Sequence, residues 1–308
     1  MSRYVARRLL QMVVAFFGTT FIVYFLMFAI SGDPIQALAG EKPISPAQRA
    51  QLEAQYHLDR PFIVQYGYYI GNFLTGNLGR TLAGRPIADV LRESWPRSFQ
   101  LGLMAIGIVA LLGVTGGILS GLNRGGWFDR LTLGFALVLI GTPIFVIGTV
   151  FQTLLGVELG WFRPSYAPEL GLTTYILPAL ALAMGSLAVS MRLTRTAVVE
   201  NLRADYVRTA RAKGLTWRRI VAVHVLRNSL IPVLTFLGTE AGVLIGSAIV
   251  TEGIFNIPGV GNLLFRALRI EDGPLVVSVV SFLVLLYLVL SLIVDIAYAA
   301  LDPRIRYE

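Results

Sequence analysis

Long apolar runs alternate with short polar connections along the chain. After eight residues that include Arg3, Arg7 and Arg8, residues 9–30 form a run of 22 uncharged residues. At 1.5 Å per residue such a helix is about 33 Å long, which is enough to cross about 30 Å of hydrocarbon. The sequence predicts five more membrane spans, at about 98–122, 131–157, 175–191, 229–254 and 275–299.

A secretory signal peptide is the alternative for the first apolar run, because Ala29-Ile30-Ser31 resembles a cleavage site. Signal-peptide cores are about 7–15 residues long. The run of 22 residues therefore favours a span that is retained.

Composition supports a membrane protein. The chain is 55% hydrophobic and 14% charged, with a mean hydropathy of +0.69, which exceeds ordinary globular usage. The net charge of +8 would suit nucleic acid, but nine of the 26 Lys and Arg residues fall in one loop between spans, and no nucleic-acid signature accompanies them. We expect an all-α polytopic protein with six transmembrane helices and no nucleic-acid partner.

The distribution of basic residues predicts the orientation. Sixteen Lys and Arg residues lie in the N-terminus, the 123–130 turn, the 192–228 loop and the C-terminal tail, against three in the short connections on the opposite side. Cytoplasmic loops carry the excess of basic residues. Both termini are therefore predicted to be cytoplasmic. The predicted divisions are 1–30, an extracytoplasmic cap at 31–97, a core at 98–299 and a tail at 300–308.

The predicted cap is the longest polar stretch, with nearly balanced charges and the aromatic residues Tyr66, Tyr68, Tyr69 and Phe73. Disordered segments are poor in aromatic residues. The composition therefore favours a small folded cap over a disordered loop.

The loop at 192–228, which we call the basic loop, is predicted to contain a helix, a glycine turn and a second helix. On a helical wheel Val199, Leu202, Tyr206 and Ala210 share one side, and Arg208 and Arg211 lie on the other. Gly214 is expected to end the first helix with a backbone angle that other residues resist. Thr216 is the predicted N-cap of the second. Such a hairpin suits docking to a partner.

Two spans carry glycine at every fourth position, which permits close approach of neighbouring helices. We expect helix packing at Gly113, Gly117 and Gly121 and at Gly238, Gly242 and Gly246. Pro143, Pro178 and Pro232 can kink or start their spans.

Catalytic and metal-binding signatures are absent from the sequence. The chain has no cysteine, two histidines (His57 and His224), and none of the common hydrolase or nucleotide-binding motifs. We therefore predict no catalytic residue, no metal site and no cofactor bound by this chain.

Glu240 lies about midway along the fifth predicted span, where an acidic side chain should not face lipid. It is about 200° around the helix from Gly238, away from the glycine stripe. We expect it to line the translocation path. A structural carboxylate, paired with a polar group on a neighbouring helix, is the alternative.

The basic loop resembles the cytoplasmic loop of ABC-type importer permeases. Their pattern of Glu-Ala-Ala, three residues and Gly is matched by Arg208-Thr209-Ala210 and Gly214, with Arg for Glu and Thr for the first Ala. The peptide-importer version, D-Y-V-R-T-A-R-A-K-G-L followed by H-x-L-R-N, is found at 205–215 and 224–228. Further similar segments are 32–34, 58–61, 76–79, 252–261 and 301–306.

The resemblance implies the type I importer permease fold and the first of two permease subunits in a bacterial dipeptide or oligopeptide importer. It implies a second permease subunit, two cytoplasmic ATPase subunits that bind ATP and Mg, an extracytoplasmic substrate-binding protein, and the inner membrane as location. It assigns ATPase coupling to Asp205, Tyr206, Arg208, Thr209, Ala210, Arg211, Lys213 and Gly214.

Alternative functions stay open at this point. The same machinery also carries nickel, glutathione or heme-type ligands. A proton-coupled secondary transporter is another reading, because Glu240 and Asp295 both fall in predicted spans and intramembrane carboxylates often relay protons.

Overall fold

The computed structural model describes residues 2–28, 45–46, 59–81, 83–246 and 248–301. These residues are mostly helical, and no β-strand occurs among them. In chain order the helices are α1 (Ser2–Phe28), α2 (Phe62–Leu74), α3 (Ile87–Leu122), α4 (Trp127–Gly141), α5 (Ile144–Glu158), α6 (Ile176–Leu202), α7 (Asp205–Ala212), α8 (Trp217–Gly246), α9 (Ile249–Ile254), α10 (Val260–Arg269) and α11 (Gly273–Leu301). Single π-helical turns occur within α3, α5 and α8, at Val109–Gly113, Gln152–Glu158 and Ile220–Val225.

Among the described residues, five segments are long and apolar enough to cross a membrane: α1, α3, α6 with its preceding 3₁₀ turn, α8 and α11. The pair α4 and α5 makes a sixth if it is one broken span. The predicted span at 131–157 is broken, since α4 and α5 meet at an angle of 108°, which fits the expectation that Pro143 kinks or starts its span. Pro143 causes the break, because proline has no N–H to donate and disfavours helical geometry at Thr142, which is extended with a ψ of 124°.

Two other predicted spans have different bounds. The 175–191 span continues as α6 to Leu202, and the 229–254 span is divided, because α8 runs from Trp217 to Gly246 and α9 is separate. Basic residues can end a membrane crossing without ending a helix, so the bounds of the helices do not test the predicted crossings, which stay predictions. Residues 192–228 comprise the end of α6, α7 with its flanking turns, and the start of α8.

The described chain divides into two compact units, one within residues 1–98 and 258–308 and one at Phe99–Ile257. In the first unit, α2 packs against α1 and α11 through aromatic side chains. The Tyr69 hydroxyl donates to Ser281 Oγ at 2.7 Å, and Tyr66 shares a hydrogen bond of 2.8 Å with Thr20. Burial raises the pKa of Tyr69, so its hydroxyl stays protonated as a donor.

The described part of the predicted cap, including Tyr66, Tyr69 and Phe73, thus packs on membrane helices of its own unit. A separate cap over 31–97 stays a prediction, since residues 31–44 and 47–58, with His57, lie outside the described residues.

In the second unit, α6 is the central helix, with α3, α4, α5 and α8 packed around it. The first glycine stripe faces α6 so closely that a Cβ would come within 3 Å of its side chains. The distances are 2.9 Å from Gly113 to Ser190, 2.5 Å from Gly117 to Thr194 and 2.8 Å from Gly121 to Val198. The lack of side chains at these three glycine positions therefore sets the distance between α3 and α6.

The second glycine stripe is different. Gly242 is buried and Gly238 half-buried. A Cβ at Gly246 would meet no atom within 4 Å in the described chain. The expected close packing at Gly246, the last residue of α8, is therefore not found among the described residues.

Candidate functional site

The α7 hairpin, which we define as residues 203–219, begins where α6 ends at Leu202. Ala204 is extended, with a ψ of 149°, and α7 starts at Asp205. After Lys213, Gly214 adopts a φ of 76°, which confirms the expected left-handed angle. Its N–H donates to the Arg211 carbonyl at 2.9 Å, and the Leu215 N–H donates to the Ala210 carbonyl at 3.2 Å. These two bonds form the glycine cap that ends helices sharply.

The second helix of the hairpin begins at the residue that the sequence indicates. Thr216 is extended, and its carbonyl accepts the first helical bond, from Ile220 N–H at 3.0 Å. The Thr216 side chain makes no capping hydrogen bond, so the prediction is right in position and wrong in mechanism. The turn geometry depends on Gly214 and not on a threonine cap.

The inner face of α7 docks on the rest of the unit through small apolar contacts. Val207 and Ala210 are 1% and 4% exposed. They form one cluster with Val198 of α6 and Ile220 and Val225 of α8, against which the end of α3 also packs. This cluster joins the hairpin to the ends of three spanning segments.

Tyr206 does not lie on this inner face, contrary to the wheel drawn through Val199 and Leu202. It is 39% exposed, and its hydroxyl donates to the side-chain oxygen of Asn201. The extended residue Ala204 interrupts the helix, so the helical phase starts again at Asp205 and Val207 takes the buried place.

The outer face of α7 is exposed and mostly basic. Arg208 lies 3.3 Å from the Asp205 carboxylate, and the Thr209 hydroxyl donates to the Asp205 carbonyl at 3.0 Å. The Arg211 guanidinium lies over the Trp217 ring, 5.1 Å from its centre, a cation–π contact that ties the two helices of the hairpin together. Lys213 is also exposed.

Close to the hairpin is a buried ion pair that sequence reasoning missed. Arg195 of α6 donates to both oxygens of Asp129, from Nε at 2.5 Å and from a terminal nitrogen at 2.8 Å. Ser120 Oγ and the Gly125 N–H complete the carboxylate's partners, at 2.5 and 2.8 Å. The Asp129 and Arg195 side chains are 3% and 19% exposed. The Asp129 carboxylate thus connects the end of α3, the start of α4 and the C-terminal half of α6.

Glu240 is half-buried on α8 and accepts a hydrogen bond of 2.5 Å from Ser186 of α6. A polar partner on a neighbouring helix is what the structural alternative requires. A role in the translocation path stays a prediction. The Asp295 side chain lies outside the described residues.

The α7 hairpin is suited to docking on a partner. Within the described ranges no group of three His, Cys, Asp or Glu side chains could hold a metal ion, and His224 stands alone in the π-helical turn of α8. What the site offers is a short, firmly capped helix, fixed on its inner face and basic on its outer face.

Two family models match the chain. Residues 113–307 match the "Binding-protein-dependent transport system inner membrane component". Residues 1–96 match the N-terminal part of the membrane component of the same systems. Together they span nearly the whole sequence.

Curated relatives align over 100% of both chains. The chain is 36% identical to a di/tripeptide transport system permease protein, DppB, from Pseudomonas aeruginosa, and 34% identical to a dipeptide transport system permease protein, DppB, from Alkalihalophilus pseudofirmus. It is also 36% identical to a glutathione transport system permease protein, GsiC, from Escherichia coli.

A solved structure has the same fold. A crystal structure of an amino acid ABC transporter aligns with a TM-score of 0.53 at 16% identity, covering 69% of this chain and 94% of that one. This likeness supports the permease fold alone. The family matches and the full-length relatives establish that the chain belongs to the inner membrane components of binding-protein-dependent transport systems, the permease subunits of ABC importers.

Proposed function

We propose that this chain is one of two permease subunits of an ATP-driven importer of di- and oligopeptides, and that the α7 hairpin couples it to the ATPase subunits. The observation that carries the coupling role is the hairpin itself. Its inner face is buried against α3, α6 and α8, while its outer face is exposed to a partner. A short helix held in this way transmits rigid-body motion.

The proposed coupling follows the contacts. Nucleotide binding closes the ATPase pair, and the hairpin moves with the surface on which it docks. Val207 and Ala210 pass the displacement to Val198 of α6 and to the end of α3. The Asp129–Arg195 pair keeps α3, α4 and α6 together as they tilt. In this proposal ATP and Mg are bound only by the partner ATPases, and the chain itself catalyses no reaction.

Peptides are the proposed substrate because two full-length relatives bear peptide-transport names. Glutathione is a second candidate, favoured by a relative of equal identity. Both are peptides, so the same pathway suits either. The extracytoplasmic binding protein would make most of the selection.

The proposed orientation has both termini and the α7 hairpin in the cytoplasm, with α2 and the 75–86 turn outside. The chain has no native cysteine, so single cysteines can be probed with a membrane-impermeant thiol reagent on intact cells. Ala83 and Ala212 are both exposed. We expect labelling of Ala83→Cys and not of Ala212→Cys; the reverse pattern would overturn the orientation.

The functional test is ATP hydrolysis by the complex reconstituted in proteoliposomes. We expect hydrolysis to rise when the binding protein is added together with a dipeptide, and to require this subunit. Glutathione added in place of the dipeptide distinguishes the two substrates. Stimulation that persists without this chain would remove it from the coupling mechanism.

A further inference from the structure

The α7 hairpin has a strong imbalance of charge. Between residues 203 and 219 there is one acidic residue, Asp205, and all of the basic residues are exposed. They are Arg203, Arg208, Arg211, Lys213, Arg218 and Arg219. An excess of five positive charges on so short a segment needs an account beyond helix formation.

Contacts within the chain neutralise little of this charge. Arg208 meets Asp205 at 3.3 Å, but their side chains are 80% and 94% exposed, and such pairs contribute little. Arg211 contacts the Trp217 ring and no carboxylate. In the part of the chain that the structure describes, the remaining four basic side chains have no acidic partner either.

Docking would remove water from these charges. An ion that loses its water without gaining an opposite charge is strongly destabilising, whereas complementary charges favour and orient association. Arg208 and Arg211 are three residues apart and so share the outer face of α7. A surface that covers α7 must therefore supply carboxylates opposite these two guanidinium groups.

We infer that the surface receiving the α7 hairpin is an acidic protein groove, with carboxylates that pair with Arg208 and Arg211. This inference rests on the proposed docking of α7 to an ATPase subunit and adds the chemistry of that contact. Arginine suits the role, because its planar fork binds a carboxylate through two hydrogen bonds.

An anionic lipid surface is the competing source of negative charge. The exposed carboxylate of Asp205, one turn before Arg208, argues against it, since a protein groove can place its carboxylates opposite the arginines and away from Asp205, whereas a uniformly anionic lipid surface cannot. The exposed Thr209 hydroxyl and Tyr206 ring beside it suit a protein surface with varied side chains. The observations thus favour a protein groove.

The test measures binding of purified ATPase subunits to the permease pair in nanodiscs of zwitterionic lipid. We expect Arg208→Glu to weaken binding about tenfold, and wild-type binding to weaken as salt rises. Arg208→Lys keeps the charge but loses the planar fork, so its binding should fall between that of the wild type and that of Arg208→Glu. Arg227→Glu is the matched control, because Arg227 is exposed on α8 outside the hairpin.

Two results would contradict the inference of an acidic groove. They are unchanged binding by Arg208→Glu and wild-type binding that is insensitive to salt. If Arg208→Glu weakens binding only in nanodiscs that contain anionic lipid, a lipid surface and not a protein groove receives α7. A cross-link from Ala212→Cys to the ATPase subunit distinguishes failure of the proposed docking from failure of the acidic groove. Without the cross-link the proposed docking fails; with it and normal Arg208→Glu binding, only the present inference fails.

Discussion

The α3–α6 interface and the α7 hairpin are both parts of the second unit, but they are held in opposite ways. At the interface, Gly117 approaches Thr194 so closely that a single added carbon would lie at 2.5 Å. The hairpin is attached by one apolar face, with Val207 at its centre, and its outer face is exposed. The close packing of α3 on α6 fixes the positions of these two helices, whereas the exposed outer face of α7 is available to a partner. Substitutions at the interface should therefore reduce stability, and substitutions on the hairpin should reduce coupling.

The largest effect on stability is expected at the buried pair of Asp129 and Arg195, which ties α4 to α6. Asp129→Asn keeps the shape but leaves the Arg195 guanidinium without its buried charge partner, which typically costs about 3–5 kcal/mol. Thermal unfolding of the purified complex measures the loss. Glu93→Gln is the matched control, because the Arg85–Glu93 pair is more than half exposed and should cost about 0–1 kcal/mol. Equal melting temperatures for the two variants would contradict a structural role for the buried pair.

The next effect is expected at the α3–α6 interface itself. Gly117→Ala places a Cβ 2.5 Å from the Thr194 side chain and 2.6 Å from the Met191 carbonyl, and such overpacking costs about 1–3 kcal/mol. Gly107→Ala on the same helix meets nothing within 4 Å and should be neutral or slightly stabilising. If both variants melt as the wild type does, the close approach is not what sets the helix distance.

The smallest effect on stability is expected at the hairpin. Val207→Ala removes buried methyl groups and should reduce the free energy of unfolding by about 1–2 kcal/mol. The effect should be concentrated in α7, with a small change in the melting temperature of the complex. Hydrogen exchange of the α7 amides should become faster in Val207→Ala and change little in Tyr206→Ala, since Tyr206 is exposed. Faster exchange in Tyr206→Ala alone would mean that the buried face was assigned wrongly.

Local features were predictable from the sequence. The left-handed angle of Gly214 follows from a glycine between two helical patterns, and the spacing of Gly113, Gly117 and Gly121 indicates a face for close contact. In each case one residue type in one position determines the geometry. Apolar length likewise predicted the membrane segments, although Pro143 divides one of them.

Features that depend on tertiary contact were not predictable. Asp129 and Arg195 are 66 residues apart, and counting charge by loops placed Arg195 among the exposed basic residues instead of in a buried pair. The assignment of Tyr206 to the apolar face failed because one extended residue, Ala204, restarts the helical phase. Neither a distant partner nor a single extended residue leaves a periodic signal in the sequence.

Two glycine substitutions of equal local strain test whether the hairpin couples ATP hydrolysis to transport. Gly76 ends α2 with a φ of 80° and the same pair of capping bonds as Gly214, from Gly76 N–H to Phe73 at 3.0 Å and from Asn77 N–H to Asn72 at 2.9 Å. Valine at either position costs about 1–2 kcal/mol in backbone strain. The two variants therefore differ in place and not in local cost.

The measurement is the number of peptides transported per ATP hydrolysed in proteoliposomes. We expect Gly214→Val to lower this ratio severalfold while ATP binding persists, and Gly76→Val to leave it near the wild-type value. A wild-type ratio in Gly214→Val, or an equal fall in both variants, would contradict the coupling role of the hairpin.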